Sequence, residues 1–309
     1  MGKKILILGN CNIDFVFKIP RFHHSGETML AEGQVTFFGG KGANQAITAK
    51  RLGGYVHFIT KVGNDLYGKS YRQYLIKQGL DRKPILEDRK LPTGMAMIEL
   101  TPKGENRIVV SLGANGSLSQ KDLRRLQPCW RGVGVFVTQL EIPLSTAERG
   151  VRLAKEAGAI TILNPSPPAH LSPHLLSLVD FIVPNEMEAQ SLTGIKWRGD
   201  QDIRRMAEKL LKMGVKNVVI TLGPRGFFFK NRREEFWMKA FNVKVLDTTA
   251  AGDAFLGAFA TGLAENKPIR EALRWANAAG ALATTKLGAQ PSLPSQRELL
   301  SFLKNHTPN

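Results

Sequence analysis

Residues 247–265 read DTTAAGDAFLGAFATGLAE, in which small residues and one carboxylate come directly before a long apolar segment. The apolar segment predicts a buried helix that begins near Ala254. Free backbone N–H groups and the helix dipole favour negative charge at such a helix start. The small side chains of Ala250, Ala251 and Gly252 would let a phosphoryl group approach the backbone. The sequence therefore predicts an anion-binding site at this turn.

Asp253 closes this turn and has two interpretations. As a general base, it would accept a proton from a hydroxyl that attacks a phosphoryl group. As a helix cap, it would accept hydrogen bonds from the backbone of its own helix. The residues of the turn alone favour neither role.

A second glycine-rich segment, residues 38–45 with the sequence FGGKGANQ, also precedes a helix-like segment. Its glycines would allow the backbone to approach a ligand closely, and Lys41 and Asn44 add polar groups. The alternative is a tight turn in which Lys41 faces solvent. This segment by itself does not decide between a ligand-binding loop and a tight turn, and the choice depends on other segments of the chain.

Residues 63–70, GNDLYGKS, satisfy the G-x-x-x-x-G-K-[ST] pattern of a phosphate-binding loop. The interior of the pattern has no further glycine, and Asn64 or Asp65 is well placed to cap a helix through residues 71–77. We therefore expect a capped helix here, and not a phosphate site.

Short β-branched apolar runs alternate with helix-forming segments along most of the chain. This alternation is typical of a parallel sheet that is buried on both faces. The predicted strands are 5–8, 56–59, 133–137, 160–163, 181–183 and 218–222. The predicted helices are 42–52, 144–157, 202–213 and 252–263. The expected fold class is α/β, with a three-layer αβα core around a mostly parallel central sheet.

Residues 15–38 and 93–111 break this alternation. Residues 95–100 and 107–111 read as strands on either side of a turn at Pro102-Lys103-Gly104. We expect the two segments to form a small β-sheet lid, inserted into a single domain of residues 1–309. A lid of this kind can close over a substrate and exclude water.

The chain of 309 residues has a formal net charge of +17, which is found in many proteins that bind nucleic acid. Its basic residues are scattered, with short clusters such as 124–125, 204–205 and 232–233, and aromatic residues are not interleaved with them. A basic surface that attracts a nucleotide is therefore expected, and nucleic-acid binding is not.

Cysteine usage and hydropathy bear on the cellular location. Cys11 and Cys129 are far apart in the sequence and outside any CxxC spacing, so neither a disulfide framework nor a thiolate metal site is predicted. The apolar run 5–8 ends at Gly9, too soon for a signal peptide, and no run approaches a membrane span. We expect a cytoplasmic protein without membrane insertion.

Several short segments, taken in order and spacing, resemble one known family from the first strand nearly to the C-terminus. They are 12–14 (NID), 26–28 (GET), 39–45 (GGKGANQ), 139–141 (QLE), 164–165 (NP), 184–188 (PNEME), 221–226 (TLGPRG), 247–253 and 286–292 (KLGAQPS). With these segments the chain resembles the ribokinase branch of the PfkB carbohydrate kinase family.

The resemblance implies ATP-dependent phosphorylation of D-ribose at O5, with Asp253 as the catalytic base beside the turn of Ala250, Ala251 and Gly252. Alternatives that stay open are another small substrate, such as 2-deoxyribose, fructose or adenosine, and a sugar sensor without catalysis. The sugar-binding positions that it implies are Asn12, Asp14, Gly39, Gly40, Lys41, Gly42, Ala43, Asn44, Glu141 and Asp253. In other contexts Asp14 could be a turn acceptor and Glu141 a surface charge.

The resemblance also implies sites for ATP and cations, and a homodimer formed through the lids. The implied ATP positions are Asn185, Glu188, Thr221, Leu222, Gly223, Pro224, Arg225, Gly226, Gly252 and Asn277. Asn185 and Glu188 match an N-x-x-E motif associated with Mg²⁺ and phosphate. The implied K⁺ positions, which act mainly through carbonyl oxygens, are Asp247, Thr249, Ala283, Lys286, Gly288 and Ser292. Ala250 departs from many family members, which have glycine there, and requires a backbone conformation that tolerates a Cβ.

Overall fold

Two sheets, one of nine strands and one of four, organise the chain in a computed structural model that describes residues 2–102 and 104–306. The strands are β1 (Lys4–Leu8), β2 (Asn12–Lys18), β3 (Gly33–Gly39), β4 (Val56–Gly63), β5 (Ile85–Asp88), β6 (Gly94–Leu100), β7 (Asn106–Ser111), β8 (Val133–Thr138), β9 (Ile160–Leu163), β10 (Phe181–Ile182), β11 (Asn217–Thr221), β12 (Phe227–Asn231) and β13 (Glu235–Met238). Lys103, in the turn predicted at 102–104, lies outside the described residues.

Helices connect most of these strands. They are α1 (Lys41–Arg51), α2 (Leu66–Lys77), α3 (Gln120–Arg125), α4 (Leu144–Glu156), α5 (Pro173–Ser177), α6 (Glu186–Thr193), α7 (Asp200–Lys212), α8 (Ala251–Ala264), α9 (Ile269–Ala283), α10 (Ala289–Ser292) and α11 (Gln296–Asn305). Over the ranges 2–102 and 104–306, no helix has both the length and the apolar character needed to cross a membrane.

The larger sheet has the strand order β13-β12-β11-β10-β9-β8-β1-β4-β5. Its strands from β11 to β5 run parallel, and β12 and β13 form an antiparallel edge. All six strands predicted from apolar runs lie in its parallel part. The predicted mostly parallel sheet is therefore confirmed, with the edge hairpin β12–β13 as an addition.

Helices cover both faces of the larger sheet, as the alternation along β1 shows. Ile5 and Ile7 belong to one buried cluster, which includes α1, α2, α8, α9 and α11. Leu6 and Leu8 belong to a second cluster on the opposite face, with α3 to α7. Because successive side chains of a strand point to opposite faces, one apolar run serves both cores. The three-layer αβα core is thus confirmed.

The smaller sheet has the order β3-β2-β6-β7 and stands apart from the core sheet. Its central pair, β2 and β6, is parallel, and the outer strands β3 and β7 are antiparallel to their neighbours. Asn12, at the start of β2, pairs with Gly39 on one side and Gly94 on the other. The sheet therefore begins where the core strand β1 has just ended.

The segment 63–70 is the end of β4 and the start of α2. Asp65 caps α2, since its Oδ1 accepts a hydrogen bond from the N–H of Gly68 over 2.7 Å. A Cβ on Gly68 would lie 1.9 Å from the carbonyl oxygen of Gly63, so this glycine is required by packing. The expectation of a capped helix is confirmed.

Candidate active site

The starts of α1 and α8 meet beside the carboxyl ends of β1 and β8. The first turn of α1 contains Lys41, Gly42, Ala43 and Asn44. The first turn of α8 contains Ala251, Gly252 and Asp253, and the two helices pack directly against each other. Asn12 and Asp14 reach this point from β2, and Glu141 reaches it from the loop after β8. Two helix starts, one strand and one loop thus bring these predicted sugar positions together.

The half-buried carboxylate of Asp253 is directed at α1 and not at its own helix. Its Oδ2 accepts a hydrogen bond from Nδ2 of Asn44 over 2.9 Å, and its Oδ1 accepts one from Nε2 of Gln45 over 3.0 Å. Among the residues that the structure describes, no side chain caps α8. The interpretation of Asp253 as a cap of its own helix is therefore wrong.

Two carboxyl groups of the site have raised pKa values. Burial raises the pKa of Asp253 to about 6, and the charge of Lys41 limits this rise. Burial also raises the pKa of Asp14 to about 7, and the negative charge of Glu141 adds to this effect. Both groups therefore exchange protons near neutral pH, where a general base is most effective.

Lys41 and Glu141 form a partly buried ion pair, with 2.8 Å between Nζ and Oε1. The other oxygen of Glu141 accepts hydrogen bonds from Nδ2 of Asn10, over 2.6 Å, and from Nδ2 of Asn12, over 3.4 Å. Burial opposes the charge on Lys41, but Glu141 and Asp253 together raise its pKa. Lys41 does not face open solvent, and Glu141, which is only 8% exposed, is not a surface charge.

The glycines between β3 and α1 allow the backbone to approach Asp14 and Asn12. A Cβ on Gly39 would lie 1.8 Å from Oδ2 of Asp14. Gly40 has φ 91°, and a Cβ there would lie 2.7 Å from the backbone nitrogen of Asn12. Asp14 itself lies within β2 and is therefore not a turn acceptor. These glycines make room for the polar side chains of the site.

Two fully buried asparagines outside the predicted set hold the site in place. Asn10 donates to Glu141 and accepts the N–H of Gly42 over 3.0 Å. Asn115 donates to Oδ1 of Asn12 over 2.8 Å. Asn10 could have been found, because it lies two residues after the core strand β1. Asn115 has no such signal, since it lies 103 residues away from its partner.

The start of α8 fits a phosphate group. Ala250 adopts the left-handed conformation, with φ 61°, and so turns the chain into the helix. Gly252 is exposed, and a Cβ there would have no atom within 4 Å, so the space beside it is open. The N–H of Ala251 makes a long hydrogen bond of 3.3 Å to Thr248. An uncapped helix start with open space beside it suits an anion.

The two segments predicted to bind the nucleotide are adjacent. Asn185 and Glu188 form a capping box at the start of α6, in which each side chain accepts the backbone N–H of the other. Asn185 also forms a parallel bridge with Thr221, at the end of β11. Burial raises the pKa of Glu188, and the charge of Lys41 acts against this rise. A cavity of about 710 Å³ adjoins the capping box.

The turn after β11 is a short 3-10 helix, Gly223–Arg225, followed by Gly226 with φ 88°. Leu222 before it is buried, and Pro224 and Arg225 are exposed. Asn277, on α9, donates from Nδ2 to the carbonyl oxygen of Lys239 over 2.7 Å. Its implied contact with ATP stays a prediction.

The predicted K⁺ positions lie in the loop before α8 and in the segment from the end of α9 to the end of α10. Asp247 links these two segments, because its Oδ1 accepts the N–H of Thr249 over 2.9 Å and its Oδ2 accepts the N–H of Gly288 over 2.8 Å. Ala283 ends α9, Lys286 pairs through Nζ with Glu298, and Ser292 ends α10. Within the described ranges, no three His, Cys, Asp or Glu side chains form a group that could hold a metal. A cation here would depend on carbonyl oxygens.

Comparisons with known proteins place the chain in one family. The sequence profile described as "pfkB family carbohydrate kinase" matches residues 2–296. The chain is 40% identical to the ribokinase of Haemophilus influenzae over 99% of this chain and 100% of the relative. It is 31% identical to the deoxyribokinase of Salmonella typhi over 97% of this chain and 98% of the relative.

Solved structures give the same result. A ribokinase from Thermotoga maritima superimposes with a TM-score of 0.87 at 37% identity, over 98% of this chain and 100% of the other. The Arabidopsis thaliana ribokinase complexed with ribose and ATP gives a TM-score of 0.89 at 32% identity, over 98% and 99%. The similarity thus covers both the core and the smaller sheet.

Proposed function

Because this chain belongs to the pfkB family of carbohydrate kinases, we propose that it transfers the γ-phosphoryl group of ATP to O5 of D-ribose, with Asp253 as the catalytic base. One observation carries the proposal. The carboxylate of Asp253 lies at an open, uncapped helix start and is hydrogen-bonded to Asn44, beside the Lys41–Glu141 pair. The names of the relatives at 40% and 32% identity supply ribose and ATP as substrates.

The sugar would lie between β2 and the first turn of α1. Ribose hydroxyls both donate and accept hydrogen bonds, so they need a mixed set of partners. Asp14 and Glu141 offer acceptors, Lys41 offers a donor, and Asn12 and Asn44 offer both. The glycines 39 and 40 keep the backbone close enough for a small substrate to touch it.

Proton transfer would use the carboxylate of Asp253. The 5-hydroxyl proton passes to this carboxylate, the O5–phosphorus bond forms, and the bond from the γ-phosphorus to the bridging oxygen breaks and releases ADP. At pH 7.5 a carboxyl group with a pKa of about 6 is mostly ionised and therefore ready to accept the proton. Positioning and charge stabilisation supply most of the rate in such transfers.

ATP would lie along the segment from Thr221 to Gly226, near Asn277, with its terminal phosphate at Gly252. The backbone N–H groups at the start of α8 would stabilise charge on the transferring group. Mg²⁺, when bound with the nucleotide near Asn185 and Glu188, supplies further neutralisation of phosphate charge. K⁺ between the loops that Asp247 links would order the backbone donors without touching substrate.

We also propose a cytoplasmic homodimer that forms through the smaller sheets, which act as lids. β7 is an edge strand in which every residue is exposed. Asp14 pairs with Ala96, and Ala96 pairs with Val110, so these residues share the face that looks toward the sugar. That face continues into exposed Val35, Ile108 and Val110, which a second copy of the sheet would cover.

A second candidate substrate is 2-deoxyribose, because a relative at 31% identity is named deoxyribokinase. The two sugars differ by one hydroxyl, which changes few contacts. A sugar sensor without catalysis is a weaker candidate, since the base candidate and the open helix start are both retained.

The test is an ADP-release assay with ATP and a panel of ribose, 2-deoxyribose, fructose and adenosine, each with and without K⁺. Ribose should give the highest kcat/KM. Faster turnover of 2-deoxyribose would identify that sugar, and not ribose, as the substrate. Tight sugar binding without ADP release would show a sensor.

A further inference from the structure

Two buried glutamine side chains form a chain of hydrogen bonds that ends on Asp253. Gln45, in the second turn of α1, donates from Nε2 to Oδ1 of Asp253 over 3.0 Å. Gln139, directly after β8, donates from Nε2 to Oε1 of Gln45. Both glutamines have no exposed surface. Because neither can touch a substrate, any influence on the reaction must pass through Asp253.

The chemistry of Asp253 sets the direction of this chain. An ionised carboxylate only accepts hydrogen bonds, so Gln45 must present its N–H to Asp253 and its oxygen to Gln139. Gln139 then directs its own Oε1 toward Gly9, where a Cβ would lie only 2.0 Å away. Among the described residues, nothing donates to this oxygen. This series of hydrogen bonds leaves Oε1 of Gln139 buried without a donor, and buried acceptors without a donor are unusual in proteins.

The two oxygens of Asp253 have different partners. Oδ2 accepts from Asn44, a residue of the proposed sugar site, whose own Oδ1 is buried and has no partner among the described residues. This oxygen of Asn44 is therefore available to accept a hydrogen bond from a sugar hydroxyl. Gln45 is engaged at both ends and buried, so its bond to Oδ1 persists.

We infer that Gln45 and Gln139 are positioning residues that hold Oδ1 of Asp253, so that Oδ2 receives the proton of the sugar hydroxyl. The inference rests on the proposed function, because it concerns the base of that reaction. The restraint fixes the side-chain rotamer of Asp253 in line with the 5-hydroxyl. It also stabilises the ionised carboxylate, because hydrogen bonds to the charged form favour that form.

The test compares Gln45→Met, which keeps the side-chain length but removes the donor, with Gln45→Glu, which puts a second carboxylate beside Asp253. Both should lower kcat about tenfold to a hundredfold while the KM for ribose changes less than about threefold. The acid limb of the kcat–pH profile should move about one pH unit upward, and further in Gln45→Glu. Gln139→Met should change the same quantities in the same direction by less.

Thr161→Val is the matched control. Thr161 is 1% exposed and lies near the amino end of β9, where its hydroxyl donates to the carbonyl oxygen of Leu178 over 2.7 Å and accepts the N–H of Asp180 over 2.9 Å. Its loss should lower the melting temperature but leave kcat and its pH profile unchanged. If the glutamine variants behave like Thr161→Val, with lower stability and wild-type turnover, the positioning role is wrong.

A second measurement separates this inference from the proposed function. The pKa of the Asp253 carboxyl is followed by NMR titration of its ¹³Cγ in wild type, Gln45→Met and Gln139→Met, without substrates. A higher pKa in Gln45→Met supports the inference even if the wild-type protein fails to phosphorylate ribose. An unchanged pKa in folded Gln45→Met overturns it even if ribose is phosphorylated.

Discussion

The ammonium group of Lys41 lies 2.8 Å from Oε1 of Glu141, and its charge also acts on the carboxyl groups of Asp14 and Asp253. Its charge lowers the pKa values of Asp14 and Asp253 against the effect of burial. The charge of Lys41 therefore favours the ionised forms of these two buried acids. Losing it would leave buried negative charges without compensation.

Lys41→Met should therefore raise the pKa of Asp253 and move the acid limb of the kcat–pH profile about one unit upward. Turnover at pH 7 should fall at least about tenfold, since less of the base is ionised. The kcat–pH profile in an ADP-release assay measures both effects. Lys41→Arg, which retains the charge, should restore the position of the acid limb, and an unshifted limb in Lys41→Met would disprove this role.

Asp253→Asn should lower kcat by about 10²–10⁴-fold, because an amide cannot accept the hydroxyl proton. Ribose affinity, measured by calorimetry, should stay within about threefold, because the amide retains one oxygen acceptor and the size of the side chain. Turnover equal to that of the wild type would remove Asp253 as the base.

Asp14 should make the protein less stable as the pH rises. The folded state holds its proton up to a pKa of about 7, whereas the unfolded state releases it near 3.8. The free energy of unfolding should therefore fall between pH 4 and pH 7, by up to about 4 kcal/mol from this group. Asp14→Asn should remove that fall and be the more stable protein at pH 8.

Urea unfolding at pH 5 and pH 8 measures the effect of Asp14. Protonation of Asp14 should weaken ribose binding below pH 7. The ionised carboxylate offers only acceptors to the sugar hydroxyls, whereas the protonated form turns one of its oxygens into a donor. Equal pH dependence in wild type and Asp14→Asn would assign the effect to another group.

Gly252→Ala and Gly257→Ala, both on α8, should separate ligand contact from packing. A Cβ at 252 meets no atom within 4 Å, so Gly252→Ala should keep its stability within about 0.5 kcal/mol. It should raise the KM for ATP about tenfold by occupying the phosphate space. A Cβ at 257 would lie 2.6 Å from the carbonyl oxygen of Gln45, so Gly257→Ala should cost about 1–3 kcal/mol.

Ile108→Lys should dissociate the proposed dimer, because it places a charge among the exposed apolar residues on the face of the smaller sheet that carries Asp14. Val109→Lys is the matched control, since adjacent residues of β7 point to opposite faces. Sedimentation velocity should give a monomer for the first variant and a dimer for the second. A wild-type monomer at micromolar concentration would refute this interface.

The apolar runs predicted the core strands, because a strand that is buried on both faces is apolar at nearly every position. The edge strands β12 and β13 were missed, although the aromatic run Phe227–Phe229 is typical of strands. Arg232 and Arg233 were noted only as a basic cluster, but they lie in the turn between these two strands.

The candidate site was predictable only in part. Many of the residues that line it belong to short segments rich in glycine or other small residues, and such segments can be recognised in the sequence. The direction of the Asp253 carboxylate is different, because it depends on Asn44 and Gln45, which lie 209 and 208 positions away. Local sequence therefore could not decide between a cap and a base. The support from Asn115 was hidden for the same reason.

The position of the smaller sheet early in the chain and of α8 late in it has a consequence for synthesis on the ribosome. All four strands of the smaller sheet are complete by Ser111, whereas α8 and its carboxylate begin only at Ala251. The half of the pocket that would hold the sugar is thus translated long before the half that would activate it. A nascent chain would carry an exposed apolar sheet well before it could turn over any substrate, and that interval is when it would most need protection from aggregation.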